Sequence, residues 1–534
     1  MKKKSVSKKK STAKATKKAA VKSRRPVKAV KKAAKKKAVK KVKKNTLPVL
    51  NGISDIRRFF YRNETPIYFI SATNFNLLGA DEWIKSFKFI CYIECFDGLH
   101  PNVFSPKEEL PHEEFQSIED INNYLLEHKE VVDYIKSRAG KGKGKALFLM
   151  FDGRTEKLAK KLGLEVCFPS AKMRNFMDNK VNTNRIAEKA GVPCVPYLLS
   201  KVKSYKHLTS ISKKKLGTDL VIQTPFGDSG HTTFFISNEK EWEKYEDEIV
   251  KEKEVKVMKR INCRGSAIEA CVTQHGTIVA PLMTELVGFK ELTPYKGGWC
   301  GNEIYAGAFT PAIRSKARKY TQLFGDQLRK EGYKGYFELD FLIDQDNQQL
   351  YLGELNPRIT GASSITNHAV FALSDMPLVL FHMLEWMNQP YKLSVNAING
   401  RWFKPENIDS WGQLVIKYTE KEVKIITQAP RSGIYIMNPD GTIKFSRMDT
   451  HRRAVEKENE AFFLRISRAN DYFYEGADMG ILVMRGRLMT DDFQLKPRAV
   501  SWINAIKRSY AAVPFTPVKT QRQEASEIGG FKMI

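Results

Sequence analysis

Apolar residues in this chain fall into two kinds of run, continuous blocks and stretches that alternate with polar residues at period two. Continuous blocks stand at 66–71 (Pro-Ile-Tyr-Phe-Ile-Ser), within 86–96 and at 146–151, the pattern of parallel strands buried on both faces. Helical periodicity at 118–138 and 155–162 supplies the crossovers, so a small α/β domain with a parallel sheet is expected over 48–172. Farther on, the spacing predicts a helix over 179–190 stopped by Gly191, then strand, glycine-bearing loop and strand across 220–236. A hairpin at 266–280, a Gly-rich loop at 290–302, a long helix over 313–331 and a second hairpin at 336–356 complete an α+β block over 173–395. From 396 to 534 short strands at 412–418, 423–428, 433–437, 442–446, 461–466 and 480–485, with the turn Asn438-Pro-Asp-Gly441, predict a mostly β domain.

Charge separates the first segment from the rest. Residues 1–44 hold 22 of the 90 Lys and Arg and no acid, which leaves 68 basic against 59 acidic residues beyond them, a surplus of only 9. The segment is almost entirely Lys, Ala, Ser, Thr and Val and cannot bury enough apolar surface to offset chain entropy, so a disordered basic tail is expected over 1–47. It resembles the Lys/Ala-rich tails of linker histones and bacterial histone-like proteins, and would hold DNA or RNA through phosphate contacts without sequence preference. A merely solubilising extension is the bland alternative.

The seven cysteines are odd in number and none forms a C-x-x-C pair, which favours reduced structural thiols and excludes a disulfide scaffold. Cys300, within Gly297-Gly-Trp-Cys-Gly301, is the one weighed as reactive, with a structural role ahead. The chain contains no apolar run of the roughly 18 residues a membrane helix needs, so no membrane partner and a cytoplasmic location are expected, with nucleoid association if the tail engages DNA.

The hairpin at 336–356 carries the densest chemistry. Its first strand reads Tyr336-Phe-Glu338-Leu-Asp340-Phe-Leu-Ile-Asp344, with Glu338, Asp340 and Asp344 on one face; its second ends Glu354-Leu-Asn356-Pro-Arg358, with Glu354 and Asn356 on one face. Hard oxygens converging from two strands suit Mg²⁺, which takes about six oxygen ligands including phosphate and water. Arg358 adds a planar donor fork suited to a transferring phosphoryl group. Taken singly, each acid reads as the solvated face of a surface hairpin.

The whole run closely resembles the metal-binding hairpin of the ATP-grasp superfamily, and the order of the flanking segments is similar to its biotin carboxylase and carbamoyl-phosphate synthase branch. The resemblance covers roughly residues 60 to 390. It implies an ATP-grasp fold preceded by the α/β domain and followed by the β domain. It also implies ATP with Mg²⁺, or Mn²⁺ as an alternative, as cofactors, and Asp340, Glu354 and Asn356 as metal ligands with Arg358 on the phosphate. Lys180 matches a phosphate-binding lysine at a helix start; Gly227, Ser229 and Gly230 match a flexible phosphate-covering loop; Met258, Lys259 and Ile261 match the segment that meets the adenine edge. Two departures stand out. Gln223 occupies a place where many relatives have a second phosphate-binding lysine, and Ala362 one where biotin carboxylases have a catalytic glutamate, four residues past the motif arginine.

The implied activity is ligation. A small-molecule carboxylate is activated as an acyl phosphate, and an amine or similar nucleophile displaces the phosphate. A nucleotide-binding or regulatory protein brought to nucleic acid by its tail is the alternative, kept alive by Gln223. Deleting residues 1–44 should abolish salt-sensitive DNA binding, measured by titration at two ionic strengths, and leave turnover unchanged.

Overall fold

The computed structural model describes residues 47–515 apart from 111–113, 141 and 228–231. The expected tail over 1–47 therefore lies outside the described residues except for Leu47. Five parallel strands form the first sheet, in the order Val103–Phe104, Phe87–Cys91, Ile67–Ser71, Gly144–Phe148, Leu164–Val166. The central strand is buried at every position, as its unbroken apolar run requires. The helical stretch expected at 118–138 is two helices, Ile118–Glu127 and Lys129–Ser137, broken at His128. That residue turns to extended backbone (ψ 129°) and caps the second helix by accepting from the Glu130 N–H.

Residues 197–259 build a separate four-stranded antiparallel sheet, ordered Tyr197–Ser200, Val255–Lys259, Leu220–Gln223, Thr233–Ile236, with the helix Tyr205–Leu216 packed on it. Beside it lies the largest sheet. The hairpin Gly335–Asp344 and Leu350–Asn356 forms one edge and pairs with the long strand Cys263–Thr273, which is followed by Met283–Val287 and Trp299–Ile304. The helix Pro311–Lys330 covers one face with buried Ile313, Ala317, Phe324 and Leu328.

That sheet does not stop where the β domain begins. Trp299–Ile304 pairs antiparallel with Trp411–Lys417, and Asp478–Arg485, Glu460–Arg465, Gly433–Met437 and Ile443–Arg447 follow in one continuous layer. Part of the segment read as a Gly-rich loop is thus the strand at this junction. The C-terminal strands otherwise stand where alternation places them; the helix Pro497–Arg508, with Trp502, Ile503 and Ile506 buried, was not foreseen.

The junction is narrow. Gly301 has φ 141°, and a Cβ there would run into the carbonyl of Gln413 on the neighbouring strand. Nearby, Lys417 and Asp478 form a buried ion pair that holds two strands of the C-terminal half together. Gly301→Ala should destabilise the protein by roughly 1–3 kcal/mol, through overpacking and backbone strain together, read as a lower denaturant midpoint.

Candidate active site

The hairpin register places Asp340 directly opposite Glu354 and Glu338 opposite Asn356. A bulge beside Asp340 absorbs Gly353 and sharpens the local twist. Next to the hairpin the long strand contributes Ala267 opposite Asp340 and Glu269 opposite Glu338. Two residues from Ala267, Gly265 leaves a gap that the Glu285 carboxylate enters; a Cβ on Gly265 would lie 2.5 Å from Glu285 Oε2. Small residues on one strand therefore form a floor between acids contributed by its neighbours.

Asp340, Glu338 and Glu285 are all held above the usual carboxylate range. Burial, and then the charge of Glu354, push Asp340 up to about 7 from 3.8. Burial and the charge of Asp340 hold Glu338 well above the usual carboxylate range. Glu285 is pushed up by burial and then by Asp340 and Glu354. Asp340 Oδ1 and Glu338 Oε2 are buried with no hydrogen-bond partner among the described residues. A buried acceptor without a donor costs about 1–3 kcal/mol, and a bound cation removes that cost.

Cationic and amide groups close the ring. Asn179 caps the helix Lys180–Ala190, its side chain accepting from the N–H groups of Val181 and Asn182, and so holds Lys180 at the first helical position. The Lys180 side chain is buried, and its Nζ donates to Glu354 Oε1 at 2.7 Å and to the Gly227 carbonyl at 2.8 Å. The backbone N–H of Lys180 donates to the Pro225 carbonyl at 2.9 Å, a second tie to the glycine loop. Gly227 has φ 137°, and a Cβ there would strike Thr232. Ser229 and Gly230 lie outside the described residues. Asn356 Nδ2 donates to Asp340 Oδ2 at 3.1 Å, while Arg358 Nη2 donates to Asn356 Oδ1 at 2.9 Å.

The predicted residues thus divide as follows. Asp340, Glu354, Asn356, Arg358, Lys180 and Gly227 are brought together. Asp344 is not part of the group, because its carboxylate accepts from the Asp346 N–H and from Asn347 Nδ2 and so shapes the hairpin turn. Met258 packs with Val195 and Val221 and against Ile261, Leu342 and Tyr351, an apolar seam joining the four-stranded sheet to the hairpin. The N–H of Lys259 donates to the Pro196 carbonyl at 3.0 Å. Gln223 lies opposite Lys256; its Nε2 donates to Thr233 Oγ1 at 3.2 Å, and its Oε1 is buried without a partner among the described residues. Among these residues no three His, Cys, Asp or Glu side chains already form a metal cage.

Sequence reasoning missed Glu285 and Lys256, whose strands show nothing unusual; only sheet register reveals what they face. It also missed Glu269, fully buried beneath the segment after Arg358. Its carboxylate accepts from Tyr336 OH at 2.6 Å, Ser363 Oγ at 2.5 Å and Thr360 Oγ1 at 3.1 Å, fixing that segment in place. His368 is structural, its ring against the Leu78 carbonyl and under Gly79. Cys300 is structural too, since burial pushes its thiol up to about 12, far from a reactive thiolate.

A raised carboxyl pKa favours the folded state below the unfolded value, and that advantage is lost as pH climbs through the folded value. In metal-free protein Asp340→Asn should therefore be roughly 1–2 kcal/mol more stable than wild type at pH 8, with the gain shrinking towards pH 4 in matched unfolding curves.

Residues 177–362 match the model of the ATP-grasp domain. A D-alanine–D-alanine ligase from Clostridium novyi is 26% identical over 212 residues, covering 38% of this chain. The chain spans about three-fifths of that relative's length, 61%. Among solved structures, biotin carboxylase from Campylobacter jejuni superposes with TM-score 0.54 at 13% identity, covering 84% of this chain and 92% of its own. N5-carboxyaminoimidazole ribonucleotide synthetase from Thermotoga maritima gives 0.50 at 14% identity, covering 84% and 100%. Every residue of the acid, lysine and glycine-loop constellation falls inside the matched segment, so the site lies within the part of the chain that matches the ATP-grasp domain.

Proposed function

We propose that this chain is an ATP- and Mg²⁺-dependent ligase that activates a small-molecule carboxylate as an acyl phosphate and transfers the acyl group to an amine or similar nucleophile. The observation that carries the reading is the opposed pair Asp340 and Glu354, with Lys180 bonded to both Glu354 and the glycine loop. A relative named for ligation, matched over 212 residues, supports it.

The donor set fits a hard divalent cation. Asp340 and Glu354 offer carboxylate oxygens, Asn356 an amide oxygen, and the orphaned Asp340 Oδ1 marks where charge is uncompensated. These three residues would hold Mg²⁺, or Mn²⁺, which when bound neutralises phosphate oxygens. Lys180 would move from Glu354 and Gly227 onto the nucleotide phosphates, and the backbone at Gly227, Ser229 and Gly230 would cover them. Gln223 would hydrogen-bond to the nucleotide. Adenine would enter the apolar seam at Met258, Lys259 and Ile261. In the transfer, a carboxylate oxygen attacks the γ-phosphorus as the bond to ADP breaks, and Arg358 steadies the charge that develops on the phosphoryl oxygens. The nucleophile then attacks the acyl carbon, phosphate departs, and the nucleophile gives up its proton.

The acceptor side departs from biotin carboxylation. Ala362 has no acid to offer and is buried, its N–H donating to Thr360 Oγ1 at 3.2 Å. Pools of carboxylates and amines screened for ADP release should give turnover by the wild type, with Glu354→Gln reducing it about 100-fold or more. Nucleotide binding with no ADP release for any pair would favour a binding protein without ligase turnover.

A further inference from the structure

Lys256 is an unusual residue to bury. It stands in an inner strand of the four-stranded sheet, its side chain almost completely enclosed (1% exposed), yet its side chain's one hydrogen bond among the described residues is a long one, 3.3 Å from Nζ to the Gly353 carbonyl. An ammonium has three donors and pays heavily for leaving water, so a single marginal contact to a neutral carbonyl leaves it undercompensated. Burial pushes its pKa down, and Lys180 adds to that, with Cys194 and Glu354 opposing. Two of the three groups whose charge acts on it, Glu354 and Lys180, belong to the site itself.

Its position defines the direction of that deficit. Lys256 pairs directly across from Gln223, so both side chains project from the same face of the sheet. That face looks towards the hairpin, since Lys256 Nζ reaches Gly353, the residue preceding Glu354. Gln223 brings a second unmet group, its buried Oε1. Lys180 completes the arrangement from the helix side, bonded to Glu354 and to the glycine loop that continues from the Gln223 strand. Two buried lysines therefore stand beside Glu354, Lys180 bonded to it and Lys256 reaching the carbonyl of the residue before it.

We propose that Lys256 is the second phosphate-binding lysine of this site, reaching a nucleoside triphosphate from the strand beside Gln223 and supplying the charge that Gln223 lacks. The assignment rests on the ATP reading above. A purely structural pin between sheet and hairpin would use the same contact to Gly353, but would leave nucleotide affinity indifferent to which strand carries the ammonium. Paired positions on adjacent strands allow the charge to be moved across the ladder by one side-chain width, so its location is testable by exchange.

Mg-ATP affinity measured by calorimetry on the full chain, alongside thermal unfolding, decides the matter. Wild type should bind; Lys256→Met should bind at least about tenfold more weakly while still unfolding cooperatively, the loss expected for one charge-assisted contact. Gln223→Lys combined with Lys256→Met should recover most of the affinity. Wild-type affinity in a folded Lys256→Met protein would overturn the assignment. Should that variant fail to fold, Lys256→Gln and the double variant carry the test, and a folded double variant that binds no better than Lys256→Gln overturns it as well. A wild type that binds no Mg-ATP would instead overturn the ATP reading, and this assignment with it.

Discussion

Two carboxylates held face to face in a partly desolvated site repel each other, and everything around Asp340 and Glu354 answers that repulsion. Lys180 neutralises one from the start of a helix, Asn356 donates to the other, and Arg358 secures Asn356 from beyond the strand end. The compensation is partial, because Asp340 Oδ1 and Glu338 Oε2 keep no donor among the described residues. Such stored imbalance is what a binding site for a cation with an anionic ligand needs, since the ligand relieves it.

Holding that imbalance requires rigid support. The hairpin is fixed on one side by the long strand and beneath by Glu269, whose three hydroxyl donors tie down the segment after Arg358. The small residues Gly265 and Ala267 let acids from neighbouring strands approach without filling the space between them. The sheet continues through the Gly301 junction into the C-terminal half, so the β region is a structural extension of the site's own sheet. Side chains cross that junction as well: Gln413 Nε2 donates to the Gly361 carbonyl at 2.7 Å, and Ser364 Oγ donates to Gln413 Oε1 at 2.5 Å. The C-terminal half therefore orients the segment that follows Arg358.

Opposite this rigid half lies the small sheet that carries Gln223, Lys256 and the glycine loop. Among the described residues it meets the hairpin through the apolar seam around Met258 and the polar ties made by Lys180 and Lys256. The polar ties use cationic groups at the boundary between sheet and hairpin, Lys180 on Glu354 and Lys256 on the Gly353 carbonyl.

Much of this was legible in order along the chain. Period-two alternation with a polar turn located the acidic hairpin, Asn179 and Gly191 bounded the Lys180 helix, and unbroken apolar runs marked the parallel sheet, because each depends on residues close in sequence. Where neighbours come from distant segments, sequence was silent. Glu285 enters the site only because Gly265 on another strand leaves room, Lys256 comes to face Gln223 only through strand pairing, and the Asp344 carboxylate is taken up by its own turn. The linear pattern determined which residues could do chemistry and on which elements they lie. Strand register, which is decided by packing across the whole sheet, determined which of them meet.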